Sequence, residues 1–232
     1  MKSKEMTNET DSIRTHIEYI INCPDNDYTD NALLLAARMD YDESNYAASA
    51  EHYERLLNIT EIQDVMTEAI EGCMKSYYFD KQYDKAIEKA NRLIAMQDID
   101  INKKKQANYI TGKSFFDKED YPEALKYLEI CSDIDNNETG AECAYLSTIC
   151  LYNMQQYDDA EEKVFFVSDK FSNYVEWTAR SFIVLSDVYV AKDNIFQAKE
   201  TLKSVIENYP DDDANYEEIV SMAQEKLEVI NN

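Results

Sequence analysis

The sequence predicts an all-α protein in which antiparallel helical hairpins stack side by side as an α-solenoid. Three observations lead to this prediction. The 232 residues include only 3 Gly and 3 Pro, which are too few for the many tight turns of a sheet protein. Apolar residues recur three and four positions apart, as they do on one face of a helix. One short pattern also returns five times along the chain, which is typical of a repeat architecture.

The repeated pattern consists of a large anchor residue, two variable residues, a small residue, and then apolar residues three to four positions apart. The anchors are Tyr46, Tyr83, Tyr121, Tyr157 and Ile195. The small residues are Ser49, Ala86, Ala124, Ala160 and Ala198. Successive anchors are 37, 38, 36 and 38 residues apart, a period that accommodates two helices of about 12 to 15 residues and two short turns. Because a larger side chain would push two crossing helices apart, we expect the small residues at helix crossings.

This register divides the chain into five hairpins, each with a first and a second helix, and a half unit at either end. A half unit that consists of a second helix is expected over residues 9–24. The hairpins are expected over residues 28–60, 61–98, 102–135, 138–171 and 174–210. A terminal helix of the first type is expected over residues 214–230. We therefore expect a single array that spans residues 1–232.

The first helices carry a matching pattern, in which a small residue precedes an aromatic residue by three positions. The best matches over both helices are Gly112, Phe115 and Tyr189 on first helices, Ala124 and Ala198 on second helices, and Pro210 at the end of the last hairpin. They resemble the signature positions of the tetratricopeptide repeat, and the resemblance covers nearly the whole chain. It implies a right-handed superhelix whose first helices line a concave groove, and a function in binding proteins or peptides. The exit from the last hairpin, "NYPDDD", further resembles a fragment of a larger bacterial member of this family.

Charge and hydropathy exclude some partners and bear on localisation. The chain has 47 acidic and 23 basic residues, a net charge of −24, whereas a nucleic-acid ligand requires clustered Lys and Arg. No stretch approaches the roughly 20 apolar residues that cross a bilayer, so membrane insertion is not expected. The first residues are polar and do not form a signal peptide, so the default expectation is the cytoplasm. The alternative is the periplasm or cell envelope, if the chain belongs to an exported parent protein.

The cysteine pattern predicts neither a disulfide framework nor a zinc site. The five cysteines are Cys23, Cys73, Cys131, Cys143 and Cys150. Their number is odd and their spacing irregular, and no C-x-x-C pair occurs. Cys143 and Cys150 lie on one expected helix, where seven residues rise about 10.5 Å, which is too far for a disulfide. We therefore expect buried free thiols.

The search for catalytic and metal-binding residues leads to the prediction that the protein is not an enzyme and has no cofactor. His16 and His52 fall in different repeat units, and no nucleophile or orienting partner can be named for either, so both are interpreted as structural. The three glycines are isolated and form no phosphate-binding loop. The acidic run Asp211–Asp213 lacks the spacing of a calcium loop and is better interpreted as a solvated helix start.

The candidate binding residues form two ladders on the first helices. The basic ladder consists of Arg38, Lys75 and Lys113. The aromatic ladder, one turn further on, consists of Tyr41, Tyr78, Phe116 and Tyr152. One interpretation is that an acidic or C-terminal peptide lies along the groove, held by charge-assisted hydrogen bonds and flat rings. The other is that the rings pack between first helices and the basic residues pair with acids such as Glu68 and Glu71.

We therefore expect a protein–protein interaction scaffold that binds a protein or peptide partner in the concave groove. The alternative is a structural or assembly module of a larger bacterial envelope-associated repeat protein. In that case the half units would stack through their end helices, and the chain would self-associate.

Overall fold

The computed structural model describes the backbone of residues 2–24 and 26–231 and the side chains of residues 12–24 and 26–231. The side chains of residues 9–11, at the start of the expected half unit 9–24, lie outside the described residues. The described backbone forms twelve α-helices and no strand, which confirms the all-α prediction. Within the two compact parts of the chain, helices one to five and helices seven to twelve each pack on their neighbours in sequence, as in a helical-repeat solenoid.

The first compact unit covers Met1–Ser114. Its helices are α1 (Lys2–Asn22), α2 (Thr29–Asp42), α3 (Tyr46–Ile59), α4 (Gln63–Phe79), α5 (Tyr83–Ala95) and α6 (Ile101–Asp117), and the unit boundary falls inside α6. Its core contains fully buried side chains from four consecutive helices: Leu33, Leu56, Ile70, Met74 and Leu93. Each of these helices therefore buries an apolar stripe against its chain neighbours.

The second compact unit covers Phe115–Asn232. Its complete helices are α7 (Tyr121–Ile134), α8 (Glu138–Asn153), α9 (Tyr157–Lys170), α10 (Val175–Ala191), α11 (Ile195–Asn208) and α12 (Tyr216–Asn231). Fully buried side chains include Leu128, Val164, Phe171, Leu202 and Ile219. The first helices α8, α10 and α12 also contact one another in sequence, α8 with α10 and α10 with α12.

The turn inside each hairpin is the same in all five copies. Each second helix begins at its anchor residue, and three residues separate it from the end of the first helix. The middle loop residue has a positive φ of 59–63° in every copy: Ser44, Lys81, Glu119, Gln155 and Asp193. The next backbone N–H donates to the carbonyl five residues earlier at 2.7–2.9 Å, as from Asn45 to Asp40. This left-handed residue ends the first helix and reverses the chain.

The small residues of the pattern are all fully buried, as expected for helix crossings. At the first crossing, Ser49 Oγ lies 2.8 Å from the carbonyl oxygen of Ala37 and 2.9 Å from Ser76 Oγ. A second close contact between α3 and α4 joins the Tyr53 ring to the backbone of Gly72. A Cβ atom added to Gly72 would lie 2.3 Å from the Tyr53 ring, so only glycine fits this ring position.

The expectation of five free thiols is wrong. Cys131, in the last turns of α7, forms a disulfide with Cys143 of α8, and their Cα atoms are 6.1 Å apart. The pair arises because the two helices are antiparallel across a short loop, which brings residues 12 positions apart side by side. Cys73 and Cys150 are buried free thiols, and burial raises the pKa of each to about 12.

A buried carboxylate joins the first three helices. Asp40 of α2 is only 3% exposed. Its two oxygens lie 2.8 Å from Arg14 Nη1 of α1 and 2.8 Å from His52 Nδ1 of α3. His52 therefore has an orienting partner that the sequence did not reveal. Arg14 also pairs with Glu43 at 2.9 Å, so this network connects α1 with the first hairpin.

Candidate peptide-binding groove

A groove of about 500 Å³ lies among helices α2, α3, α4 and α6 of the first unit. Its lining residues are Tyr41, Tyr53, Asp64, Thr67, Glu68, Glu71, Gly72, Lys75 and Lys103. Most come from α4, where spacings of three and four residues place them on one face. This first helix therefore supplies one wall of the groove, and its neighbours supply the rest.

The base of the groove depends on the contact between Tyr53 and Gly72. Tyr53 is only 5% exposed, yet it is one of the lining residues. Burial, and to a lesser extent the charge of Glu68, raises the pKa of its hydroxyl to about 12, so the ring is neutral at physiological pH. Because Gly72 has no side chain, the ring can lie directly on the α4 backbone.

Two lysines converge on one carboxylate in this groove. Lys75 Nζ donates to Glu71 Oε1 at 2.6 Å, and Lys103 of α6 pairs with the other oxygen of Glu71. Burial by itself would raise the pKa of Glu71, but the hydrogen bonds from Lys103 and Lys75 outweigh it and lower the pKa. The carboxylate is therefore charged and clasped between two ammonium groups.

Arg38 is attached to the groove through a carboxylate of the lining. Its Nε donates to Glu68 Oε1 at 2.7 Å, which links α2 to α4. The side chains of Arg38 and Glu68 are 51% and 37% exposed, so the pair is solvated. The second interpretation of the sequence was that the basic residues pair with acids such as Glu68 and Glu71. The pairs Arg38–Glu68 and Lys75–Glu71 agree with it.

The same interpretation placed the rings of the aromatic ladder between first helices, but their main contacts are within the hairpins. Each ring contacts the anchor of its own hairpin across the three-residue turn. The ring centroids are separated by 5.4 Å for Tyr41–Tyr46, 5.9 Å for Tyr78–Tyr83, 6.0 Å for Phe116–Tyr121 and 5.9 Å for Tyr152–Tyr157. A contact between first helices also occurs for Tyr41, whose centroid is 6.0 Å from that of Phe79.

The structure thus brings together part of the predicted set. Tyr41 and Lys75 line the groove, and Arg38 is bound to it. Tyr78 packs on Tyr83 and Phe79 in the first unit, outside the lining. Lys113 lies over the ring of Tyr109, with its Nζ 5.3 Å from the centroid, also outside the lining.

Two of the predicted site residues lie in the other compact unit, and two residues that line the groove were not predicted. Phe116 and Tyr152 belong to the second unit. The ladders did not include Tyr53 and Lys103, although both line the groove. Tyr53 could have been found as the aromatic residue of the repeat pattern that faces Gly72 on the following first helix. Lys103 begins the run Lys103–Lys105, the strongest basic run of this acidic chain.

Within the described residues, no helix has the length and apolarity needed to cross a membrane. The same part of the chain contains no group of three or more His, Cys, Asp or Glu side chains placed to hold a metal ion.

Two family descriptions match parts of the sequence. Residues 79–167 match the family "Anaphase-promoting complex, cyclosome, subunit 3", and residues 185–212 match a tetratricopeptide repeat family. The first match includes parts of both compact units, and the tetratricopeptide-repeat match lies in the second unit. Among curated proteins, none matches this sequence.

Several solved structures share the fold at low sequence identity. YrrB, described as a tetratricopeptide-repeat protein with an unusual peptide-binding site, is 18% identical with a TM-score of 0.62, covering 85% of this chain and 91% of that one. MamA is 16% identical with a TM-score of 0.64, covering 78% and 91%. A Rap protein complexed with Competence and Sporulation Factor is 16% identical with a TM-score of 0.54, covering 98% and 69%. These similarities confirm the helical-repeat solenoid.

Proposed function

We propose that this chain is a tetratricopeptide-repeat protein and acts as a protein-interaction scaffold whose first-unit groove holds a peptide segment of a partner. The observation that carries the proposal is the groove itself, in which Lys75 and Lys103 already hold the Glu71 carboxylate beside the rings of Tyr41 and Tyr53. The groove thus contains the two features that peptide recognition needs, a polar clasp and flat apolar surface. That YrrB is described with a peptide-binding site supports the same class of ligand.

The charges of the groove favour an acidic side chain or a C-terminal carboxylate in the peptide. With Arg38 included, three basic side chains meet the three lining acids Asp64, Glu68 and Glu71, so the groove is nearly neutral in a chain of charge −24. A peptide carboxylate can take the place of Glu71 between the two lysines. Because one carboxylate replaces another, this exchange contributes mainly to specificity, and the affinity comes mainly from burial of apolar side chains on the rings.

The test begins with random 12-residue peptides displayed with free and with amidated C-termini. Selected peptides are then titrated calorimetrically against the full chain. We expect Tyr41→Ala to weaken binding by about tenfold, because an aromatic anchor typically contributes 1–2 kcal/mol. Lys75→Glu should lower the association rate and the salt dependence.

Two control variants define the limits of the groove. Tyr78→Ala removes a ladder ring outside the lining, and Glu207→Ala removes an exposed charge on α11 of the second unit. Both should bind within about twofold of the unaltered protein, as expected for positions outside the contact. Equal affinities for all four variants would place the binding surface elsewhere.

A second candidate function is assembly through the end helices. Tyr19 on α1 is 73% exposed and Val229 on α12 is 76% exposed, and apolar side chains of this size favour contact with another surface. Sedimentation velocity over a hundredfold range of concentration tests it, with Tyr19→Asp and Val229→Asp as variants. A concentration-dependent oligomer that either variant disrupts supports assembly, whereas a monomer at every concentration contradicts it.

A further inference from the structure

The negative charge of the chain is concentrated in the second unit. Residues 115–232 include 26 acidic and 9 basic side chains and carry −17 of the total charge of −24, whereas residues 1–114 carry only −7. A charge of this size creates a long-range field that attracts cationic partners and repels anionic ones. The second unit therefore favours encounter with cationic ligands over anionic ones.

The second unit also contains an apolar groove, between α10 and α11, with a volume of about 460 Å³. Apolar side chains from both helices line it, among them Val175, Ala179, Phe182 and Val205, and Pro210 lines one end. The volume lies within the roughly 300–1,000 Å³ that is typical of ligand pockets. One or two large apolar side chains of a ligand would fit between the helices.

The rim of this groove is polar and its lining, among the described residues, includes no Lys or Arg, although Lys203 of α11 pairs with the lining residue Glu200 at 2.7 Å, so a cationic ligand has to compete with this exposed pair. Thr201, Ser204 and Asn208 follow one face of α11. Of the described residues that line the groove, Glu200 alone carries a charge. One helical turn before Glu200, the ring of Phe196 is 74% exposed.

The loop after α11 adds further negative charge at the Pro210 end. Asp211 and Asp212 are exposed there, and Asp213 accepts a hydrogen bond from the Tyr209 hydroxyl at 2.7 Å. The backbone N–H of Asn215, and after it the Tyr209 hydroxyl, lowers the pKa of Asp213 by hydrogen bonding to its carboxylate. From Ile195 to Asp213 there are five acidic residues and two lysines, so the acidic excess of the unit is also local to the groove.

We propose that this second groove binds a basic amphipathic segment of a partner protein. A large apolar side chain of the segment inserts between α10 and α11, while flanking Lys or Arg residues face Glu200 and the aspartates after Pro210. Burial of the apolar side chain provides the affinity, and the charges accelerate association and exclude acidic segments. This site lies in the second unit and is separate from the function proposed for the groove of the first unit.

Three synthetic 14-residue peptides test the chemistry of the ligand. The first has leucines along one helical face and lysines elsewhere, the second has glutamate in place of lysine, and the third has serine in place of leucine. Binding of each peptide to the full chain is measured by isothermal titration calorimetry. We expect saturable binding of the leucine–lysine peptide, and binding at least about tenfold weaker for the other two.

A matched pair of variants tests the location. Ser204→Arg places a cation and a long side chain at an exposed lining position, and Ser221→Arg makes the same change at an exposed position of α12 outside the lining. Ser204→Arg should weaken binding of the leucine–lysine peptide by about tenfold or more, and Ser221→Arg by less than about twofold. Circular dichroism melting of both variants establishes that they are folded.

Each other outcome overturns part of the proposal. If Ser204→Arg binds like the unaltered protein, the groove is not the site. If the glutamate peptide binds as well as the lysine peptide, the charge argument is wrong. If the serine peptide binds equally well, the lysines are attracted to the acidic surface without an apolar anchor.

Discussion

The contact between Tyr53 and Gly72 predicts how Gly72→Ala changes the stability of the protein. Whether the substitution stabilises or destabilises depends on the Tyr53 ring. Gly72 lies in the interior of α4, where a glycine normally destabilises a helix. An added Cβ would lie 2.3 Å from two atoms of the Tyr53 ring, well inside van der Waals contact. Because Tyr53 is only 5% exposed, its ring is confined by its surroundings. Gly72→Ala should therefore destabilise the protein.

The size of this destabilisation is the difference between the cost of overpacking and the gain in helix propensity. Alanine is better than glycine in a helix interior by about 0.8–1.0 kcal/mol. Overpacking of a filled crossing costs about 1–3 kcal/mol, and the close approach of the Cβ atom places this site in the upper half of that range. We expect Gly72→Ala to lower the free energy of unfolding by about 1–2 kcal/mol.

A double-mutant cycle with Tyr53→Ala isolates the contact. With the ring removed, only the helix-propensity term remains, so Gly72→Ala should stabilise that variant by about 0.8–1.0 kcal/mol. The coupling free energy, obtained from urea unfolding of all four proteins, is then about 2–3 kcal/mol. Hydrogen exchange of the α4 amides should show the effect locally, since repeats contact only their neighbours. If Gly72→Ala stabilises both backgrounds equally, the ring does not require a glycine.

Three further substitutions or treatments test other contacts. Asp40→Ala removes the carboxylate that pairs with both Arg14 and His52 and leaves only the Arg14–Glu43 pair of this network. It should lower the free energy of unfolding by about 1.5–3 kcal/mol, whereas an unchanged melting temperature would show that the network contributes nothing. Gly140→Ala should destabilise the protein more than Gly72→Ala, because its Cβ would lie 2.1 Å from the backbone oxygen of Asp135 and no side-chain rotation can relieve this clash. Equal losses of unfolding free energy for the two variants, measured with urea, would contradict this. Reduction of the Cys131–Cys143 disulfide should lower the free energy of unfolding by about 2–4 kcal/mol. Without reductant, the denatured chain should take up three alkyl groups by mass spectrometry, and an uptake of five would show that the disulfide is absent.

The helical fold was predictable because it is encoded in local patterns. Each anchor residue marks the first residue of a second helix, and the small residue three positions later is buried at a crossing. Such features depend on residues three and four positions apart, which face the same side of a helix. A single sequence therefore contains enough information to locate the helices and the residues of their packing faces.

The groove was only partly predictable because its contacts join different helices. The acids that pair with Arg38 and Lys75 were named as one alternative, but which alternative applies depends on distances between α2, α4 and α6. The packing of Tyr78 on Tyr83 was missed, although rings five residues apart around a three-residue loop are a recognisable signal.

Two other contacts were missed for a related reason. The disulfide joins Cys131 and Cys143 across the short loop between α7 and α8, whereas the sequence argument considered a pair on one helix. The partner of His52 is Asp40, which lies on the other helix of the same hairpin. Both pairs are 12 residues apart, a separation at which side chains meet only when two antiparallel helices are placed in a particular register.

The loops of this protein indicate where evolution or engineering could change its length. Within every hairpin, three residues connect the two helices, and the left-handed middle residue fixes the reversal. Between hairpins, the connections range from three residues at 60–62 to seven at 209–215. A residue inserted inside a hairpin would shift the ring that packs on the anchor, whereas one inserted at 96–100 or 209–215 would lengthen a segment that already varies. Tags, linkers and additional domains should therefore be tolerated at the connections between hairpins and rejected at the turns within them.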